Sequence, residues 1–186
     1  MMNNIDFENL RNKFIEDNIN LINNNDWGIL IYKIQNIFKD SEWAQTQMYK
    51  TFLDCDINIL DYLIHIPKSF FEYRYDIESF TIPDHIIELD NSCFANCVNL
   101  KQLYIPLSLK AIYFNVFWSC PSLTDIYYPG KYSDFEKIKL SDAYSSPIHN
   151  QNKTVTLHYG KNFQKTKVFE KIDNIYNNDE DLELPF

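Results

Sequence analysis

The side chains with the most chemical potential are four cysteines and four histidines. Cys93 and Cys97 are spaced C-x3-C, Cys55 and Cys120 stand apart, and His65, His85, His149 and His158 show no paired spacing. A zinc site needs four ligands brought to one point, and nothing in these intervals supplies the fourth. A nucleophile made from Cys93 with His85 as its base would need an activating neighbour that is not recognisable in the sequence. The cysteines are therefore expected to be small, reduced, buried hydrophobes, with no enzyme and no metal. Three isolated glycines, Gly28, Gly130 and Gly160, leave no glycine-rich loop to cradle a phosphate, so no nucleotide or other cofactor is expected. The remaining chemistry is recognition. Ser79, Thr81, Gln102, Tyr104, Asp125 and Tyr127 fall at alternate positions of three short segments and would form a polar and aromatic strip if those segments were neighbouring strands.

A repeat of 23 residues makes them neighbours. At that step Ile77 falls on Leu100 and Leu123, Phe80 on Leu103 and Ile126, Ile82 on Ile105 and Tyr128, and Pro83 on Pro106 and Pro129. The intervening loops keep the same step: Ile86 maps to Leu109, Leu89 to Ile112, Phe94 to Phe117 and Cys97 to Cys120. Apolar positions held at a fixed interval, with polar ones free to vary, are expected when no coil can bury its apolar edge alone and each packs on the next. The prolines lack a donor and fix φ, so each should end a strand and start a return loop.

The run Phe80-Thr-Ile-Pro-Asp-His-Ile-Ile-Glu-Leu-Asp-Asn-Ser-Cys-Phe-Ala-Asn-Cys-Val-Asn-Leu100, and its continuation to Leu123, resembles the BspA-type leucine-rich repeat. Ile126 to Ile138 and Thr154 to Tyr159 are similar to that family's last coil, with Phe135 where the pattern more often has tryptophan. The resemblance covers about residues 57–159. It implies a short leucine-rich-repeat solenoid over 66–159; with the flanking patterns below, the expected chain is α+β, with an N-terminal helical cap region over 1–65 and a C-terminal helix with an acidic tail over 160–186. A truncated first coil is read at Ile66-Pro67, because Pro67 lies 16 residues before Pro83 and seven residues would be missing from its loop.

Upstream, Phe7, Leu10 and Phe14 recur at helical spacing and continue to Leu21 and Ile22. Leu30, Ile34, Ile37 and Phe38 suggest a second helix from Trp27 to Phe38 with Asp26 as its cap, and a third runs from Ser41 through Trp43, Gln47, Met48 and Phe52 to about Leu53. A short fourth helix follows Asp56. Downstream, Phe163, Val168, Phe169 and Ile172 suggest the helix that would seal the repeats.

Hydrophobic content of 45% and aromatic content of 16% argue against disorder. The net charge is −9, and residues 1–65 hold ten Asp or Glu against five Lys or Arg. Direct nucleic-acid binding is not expected, since no basic stripe is visible. No apolar run reaches the length of a membrane span. The opening residues lack a basic n-region, so the reading expects no secretory signal and a cytoplasmic location. Abundant Asn, Ile, Lys and Tyr with few Arg fit an AT-rich coding source such as a low-GC bacterium or its phage. The expected function is a non-catalytic protein-protein recognition module that uses the strip against a protein partner. The alternative is an acidic, phage-encoded inhibitor that blocks a basic surface of a host defence or nucleic-acid-binding protein. End-to-end stacking as a homodimer is open to both.

Overall fold

The computed structural model describes residues 4–24, 27–52, 59–141, 146–147 and 154–169. It divides into two compact units, 1–63 and 64–186.

The first unit is helical: α1 (Asn4–Asp17), α2 (Ile19–Asn23), α3 (Trp27–Ile37), α4 (Glu42–Thr51) and a 3-10 turn at Ile59–Tyr62. The break between α1 and α2 falls at buried Asn18, whose side-chain amide donates to the Phe14 carbonyl at 2.8 Å and whose Oδ1 accepts from Lys33 Nζ at 2.6 Å. Local competition of this kind is how Asn ends helices. Ser41 caps α4, its hydroxyl accepting from the Ala44 amide at 3.3 Å. The buried stripe of α3 is Trp27, Leu30, Ile31 and Ile34, continued by Phe38. Ile37 is 53% exposed, so it does not share the face assigned to it; Ile31 takes that place. Phe7 packs against Phe38 and meets the edge of Trp43 at 5.0 Å. The helix expected after Asp56 is observed from Ile59 as the 3-10 turn, and Asp56 itself lies outside the described residues.

The second unit is two ladders. One has the order β1 (His65–Ile66), β3 (Glu88–Leu89), β5 (Ala111–Ile112), β7 (Lys139–Leu140), all parallel. The other runs β2 (Ser79–Thr81), β4 (Gln102–Tyr104), β6 (Asp125–Tyr128), β8 (Val155–Tyr159), parallel, and ends in β9 (Lys165–Phe169), antiparallel to β8. A short helix, α5 (Tyr132–Phe135), follows β6. The 23-residue step is the register itself: Ser79 pairs with Gln102 and Gln102 with Asp125, while His65 pairs with Glu88 and Glu88 with Ala111. Side chains that share a place in the repeat therefore lie over one another. Phe71, Phe94 and Phe117 stack with ring centroids 5.1 and 5.8 Å apart, and Phe80 meets Phe94 edge-on at 4.9 Å. Leu100, Leu103, Leu123, Ile126 and Leu157 fill the rest of this core with no exposure.

A third line of bonds joins successive coils through their loops. Phe71 N donates to Cys93 O and Phe94 N to Val116 O, while Ser69 N donates to Asn91 O and Ser92 N to Phe114 O. The turns that aim these donors are left-handed at Ser69, Ser92 and Asn115, and again at Tyr73, Asn96 and Ser119. Both series advance by the repeat, and neither contains glycine, although such a conformation costs a side-chain-bearing residue about 1–2 kcal/mol.

Two expectations are corrected. Ile66 pairs with Leu89, so β1 belongs to the ladder of β3 and Pro67 stands one full step before Asp90. No residues are missing from that loop. An Ile-Pro pair ends a strand in either ladder, which is why the sequence alone misplaced it. The second correction concerns the C-terminal helix. Lys161–Phe163 is a 3-10 turn and Lys165–Phe169 is strand β9, because its backbone completes the open edge of β8. The rest of that expected helix, with the tail, lies outside the described residues.

Candidate recognition surface

Strand alternation sends Ser79, Gln102 and Asp125 outward in one row and Thr81, Tyr104 and Tyr127 in the next. The structure brings all six together. Ser79 and Thr81 are exposed, and Gln102, Tyr104, Asp125 and Tyr127 are half-buried. The Tyr104 and Tyr127 rings stack at 4.4 Å with 9° between planes, close to the spacing of adjacent strands. The imidazole of His158 continues the stack beyond Tyr127 at 4.5 Å and 11°.

His158 is a member of the strip that the repeat did not reveal. Its place is set by the pairing of Tyr127 with His158, a longer step than 23, because the last coil carries extra residues. The alternation of Val155, Thr156, Leu157 and His158 was the one available signal. The Asp125 carboxylate holds His158 Nε2 at 2.7 Å and accepts a hydrogen bond from the Thr124 hydroxyl at 2.9 Å. Burial raises the Tyr127 phenol above its ordinary range, helped by the Asp125 charge and by Tyr104, so the ring stays neutral at physiological pH.

Phe163 was also missed. Expected on a helical stripe, it sits in the turn after β8 and meets Tyr127 edge-on at 5.4 Å and 80°, and Tyr104 at 6.1 Å and 75°. The aromatic end of the strip therefore has four rings, three stacked and one set across two of them. Such edge-to-face pairs contribute about 0.5–1.5 kcal/mol each beyond their buried area.

The thiols are placed for packing. Cys93, Cys97 and Cys120 are fully buried. Cys97 Sγ donates to the Phe71 carbonyl at 3.0 Å, and Cys120 Sγ makes the same bond to Phe94 O at 3.1 Å one coil later. Burial pushes the Cys97 thiol up to about 12 and that of Cys93 well above its ordinary value. Neither is a ready thiolate nucleophile at neutral pH. Cys55 lies outside the described residues. Among the described residues no group of three or more His, Cys, Asp or Glu could hold a metal, and no helix is long and apolar enough to cross a membrane.

The model of the BspA type leucine rich repeat region, in six copies, matches residues 37–145 and 64–178. The chain belongs to this family. Membership of a leucine-rich repeat family points to a protein-interaction module. Among solved structures, the chain is similar to a leucine rich cell surface protein from Faecalibacterium prausnitzii A2-165 at 30% identity and a TM-score of 0.40. The match covers 41% of this chain and 20% of that protein, so this chain spans about a fifth of that protein's length. No curated protein matches the chain.

Proposed function

We propose that this protein is a non-catalytic recognition module in which a short leucine-rich-repeat solenoid presents the strip Ser79, Thr81, Gln102, Tyr104, Asp125 and Tyr127 to a protein partner. The observation that carries this reading is the half-buried ladder of Tyr104, Tyr127 and His158, continuous across three strands of the sheet. Tyrosines combine a large apolar face with a hydrogen-bonding tip at low entropic cost, which makes them frequent anchors of protein interfaces. The backbone fixes their spacing before any partner arrives, so little ordering remains to oppose binding. The polar half of the strip, from Ser79 to Asp125, supplies the hydrogen-bonding rim that such anchors ordinarily have around them.

The test is capture of a partner from cells of the source, followed by a titration of the isolated pair. Tyr104→Ala together with Tyr127→Ala should weaken binding at least 30-fold, on the order of the 2 kcal/mol or more that anchor residues carry. Binding should change only modestly between low and physiological salt, because the anchors are uncharged. Unchanged affinity in the double variant, or binding that collapses with salt alone, refutes this reading.

A further inference from the structure

Phe163 occupies the aromatic end of the strip without belonging to the core beneath it. Its turn opens at Gly160, whose φ of 83° supplies the bend, and both Asn162 (φ 60°) and Phe163 (φ 54°) are left-handed. A bulky residue seldom takes that conformation, so the turn carries strain at the residue that makes the contact. Around it, Lys161, Asn162, Gln164 and every side chain from Lys165 to Val168 are exposed. The turn is held by backbone bonds, Gly160 N to Gly130 O at 2.8 Å and Phe163 N to Gly160 O at 2.9 Å, and by the pairing of β9 with β8. The three rings below it are positioned by β4, β6 and β8 alone. Withdrawing the phenyl ring would therefore leave Tyr104 and Tyr127 in place with their edges uncovered.

We propose that the position filled by Phe163 is the strip's seat for an aromatic side chain of the partner polypeptide, and that Phe163 is a built-in competitor for it. The proposal rests on the recognition reading above and names what that surface receives. The contact geometry favours an aromatic residue over other occupants, because the edges of two stacked phenols, set at 75° and 80° to the ring, meet its electron-rich face. A partner ring inserting there replaces those contacts and lets the strained turn relax. While Phe163 is seated, apparent affinity is lowered by the fraction of molecules whose seat is open.

The probe is N-acetyl-phenylalaninamide, titrated into the full chain and followed by NMR of the tyrosine rings. Phe163→Ala should bind it about tenfold more tightly than the parent, as expected if the seat is closed in about nine molecules of ten. Adding Tyr127→Ala to that variant should abolish saturable binding. In the unsubstituted protein carrying 4-fluorophenylalanine at position 163, the probe should move the fluorine resonance toward its solvent-exposed value, which tests displacement without depending on how the Ala variant folds. Equal binding by parent and Phe163→Ala, binding that survives Tyr127→Ala, a fluorine signal that ignores the probe, or stronger binding of methyl glucoside than of the amide would each overturn the proposal. If Tyr104→Ala and Tyr127→Ala abolish partner capture while these probe experiments fail, the recognition reading stands and the seat does not.

Discussion

Replacing Phe94 by alanine tests whether coils are held together by equivalent side chains meeting across the repeat. Phe94 is fully buried, with its ring stacked between Phe71 at 5.1 Å and Phe117 at 5.8 Å and met edge-on by Phe80 at 4.9 Å. Truncating a buried phenylalanine costs about 3–5 kcal/mol through lost transfer energy and the cavity left behind. Three ring contacts place Phe94→Ala at the upper end of that range, since each adds about 0.5–1.5 kcal/mol beyond buried area. Phe117 is equally buried, and its ring stacks on Phe94. Phe117→Ala should therefore cost less, about 3 kcal/mol. In a nearest-neighbour array the inner ring supports two interfaces and an end ring one, which is the physical content of the difference. Urea titration followed by circular dichroism gives both values, and the double variant should reveal a coupling of about 0.5–1.5 kcal/mol. A Phe94→Ala cost below about 2 kcal/mol, or no coupling to Phe117, would refute the claim that the stack joins the coils.

Two further outcomes follow from the same geometry. Ser92 is left-handed (φ 58°) and its amide bonds the Phe114 carbonyl, so Ser92→Gly should be neutral or stabilising by up to about 1 kcal/mol, whereas Ser92→Val should lose at least about 1–2 kcal/mol in thermal unfolding. If valine is tolerated, the turn is not held as described. The Cys97 thiol is raised by burial from 9.0 to about 12. A folded-state value above the unfolded one means that the folded state binds the proton more tightly, so stability is level below about pH 9 and falls as pH rises from about 9 to 12. Cys97→Ala should flatten that alkaline slope in urea titrations at several pH values, and an unchanged slope would exclude this thiol as a cause.

What could be read from the chain was whatever the 23-residue step governs. Phe94 over Phe117, Phe80 beside Leu103, and the six strip residues in two rows all follow from one interval, because a parallel ladder with constant coil length converts sequence spacing into spatial register. Where the interval changes, spacing no longer gives position. His158 follows Tyr127 by more than a repeat, so its place in the ring stack depended on a closing coil whose length the internal repeat does not set. The apolar residues at the end of the segment, Val168 and Phe169, can belong to a helix or a strand, and the open edge of β8 decided for the strand. That is a tertiary effect, and no local pattern encodes it. Pro67 misled for a related reason: the two ladders end their strands with the same chemistry, and only pairing with Leu89 tells which ladder Ile66 joins.

The two departures from the repeat are also the two features that shape the strip. Where the interval holds, from β2 to β6, the outward rows pass from exposed Ser79 and Thr81 to half-buried Gln102, Tyr104, Asp125 and Tyr127. Where it breaks, the longer last coil brings His158 onto Tyr127, and the turn into β9 lays Phe163 across the pair. The regular coils thus supply a rigid row, and the irregular close gives that row a polar open end and an aromatic covered one. Under the proposed recognition mode, affinity should fall most on substitution of Tyr104 and Tyr127 and rise on Phe163→Ala, with Ser79 and Thr81 adjusting fit at small cost.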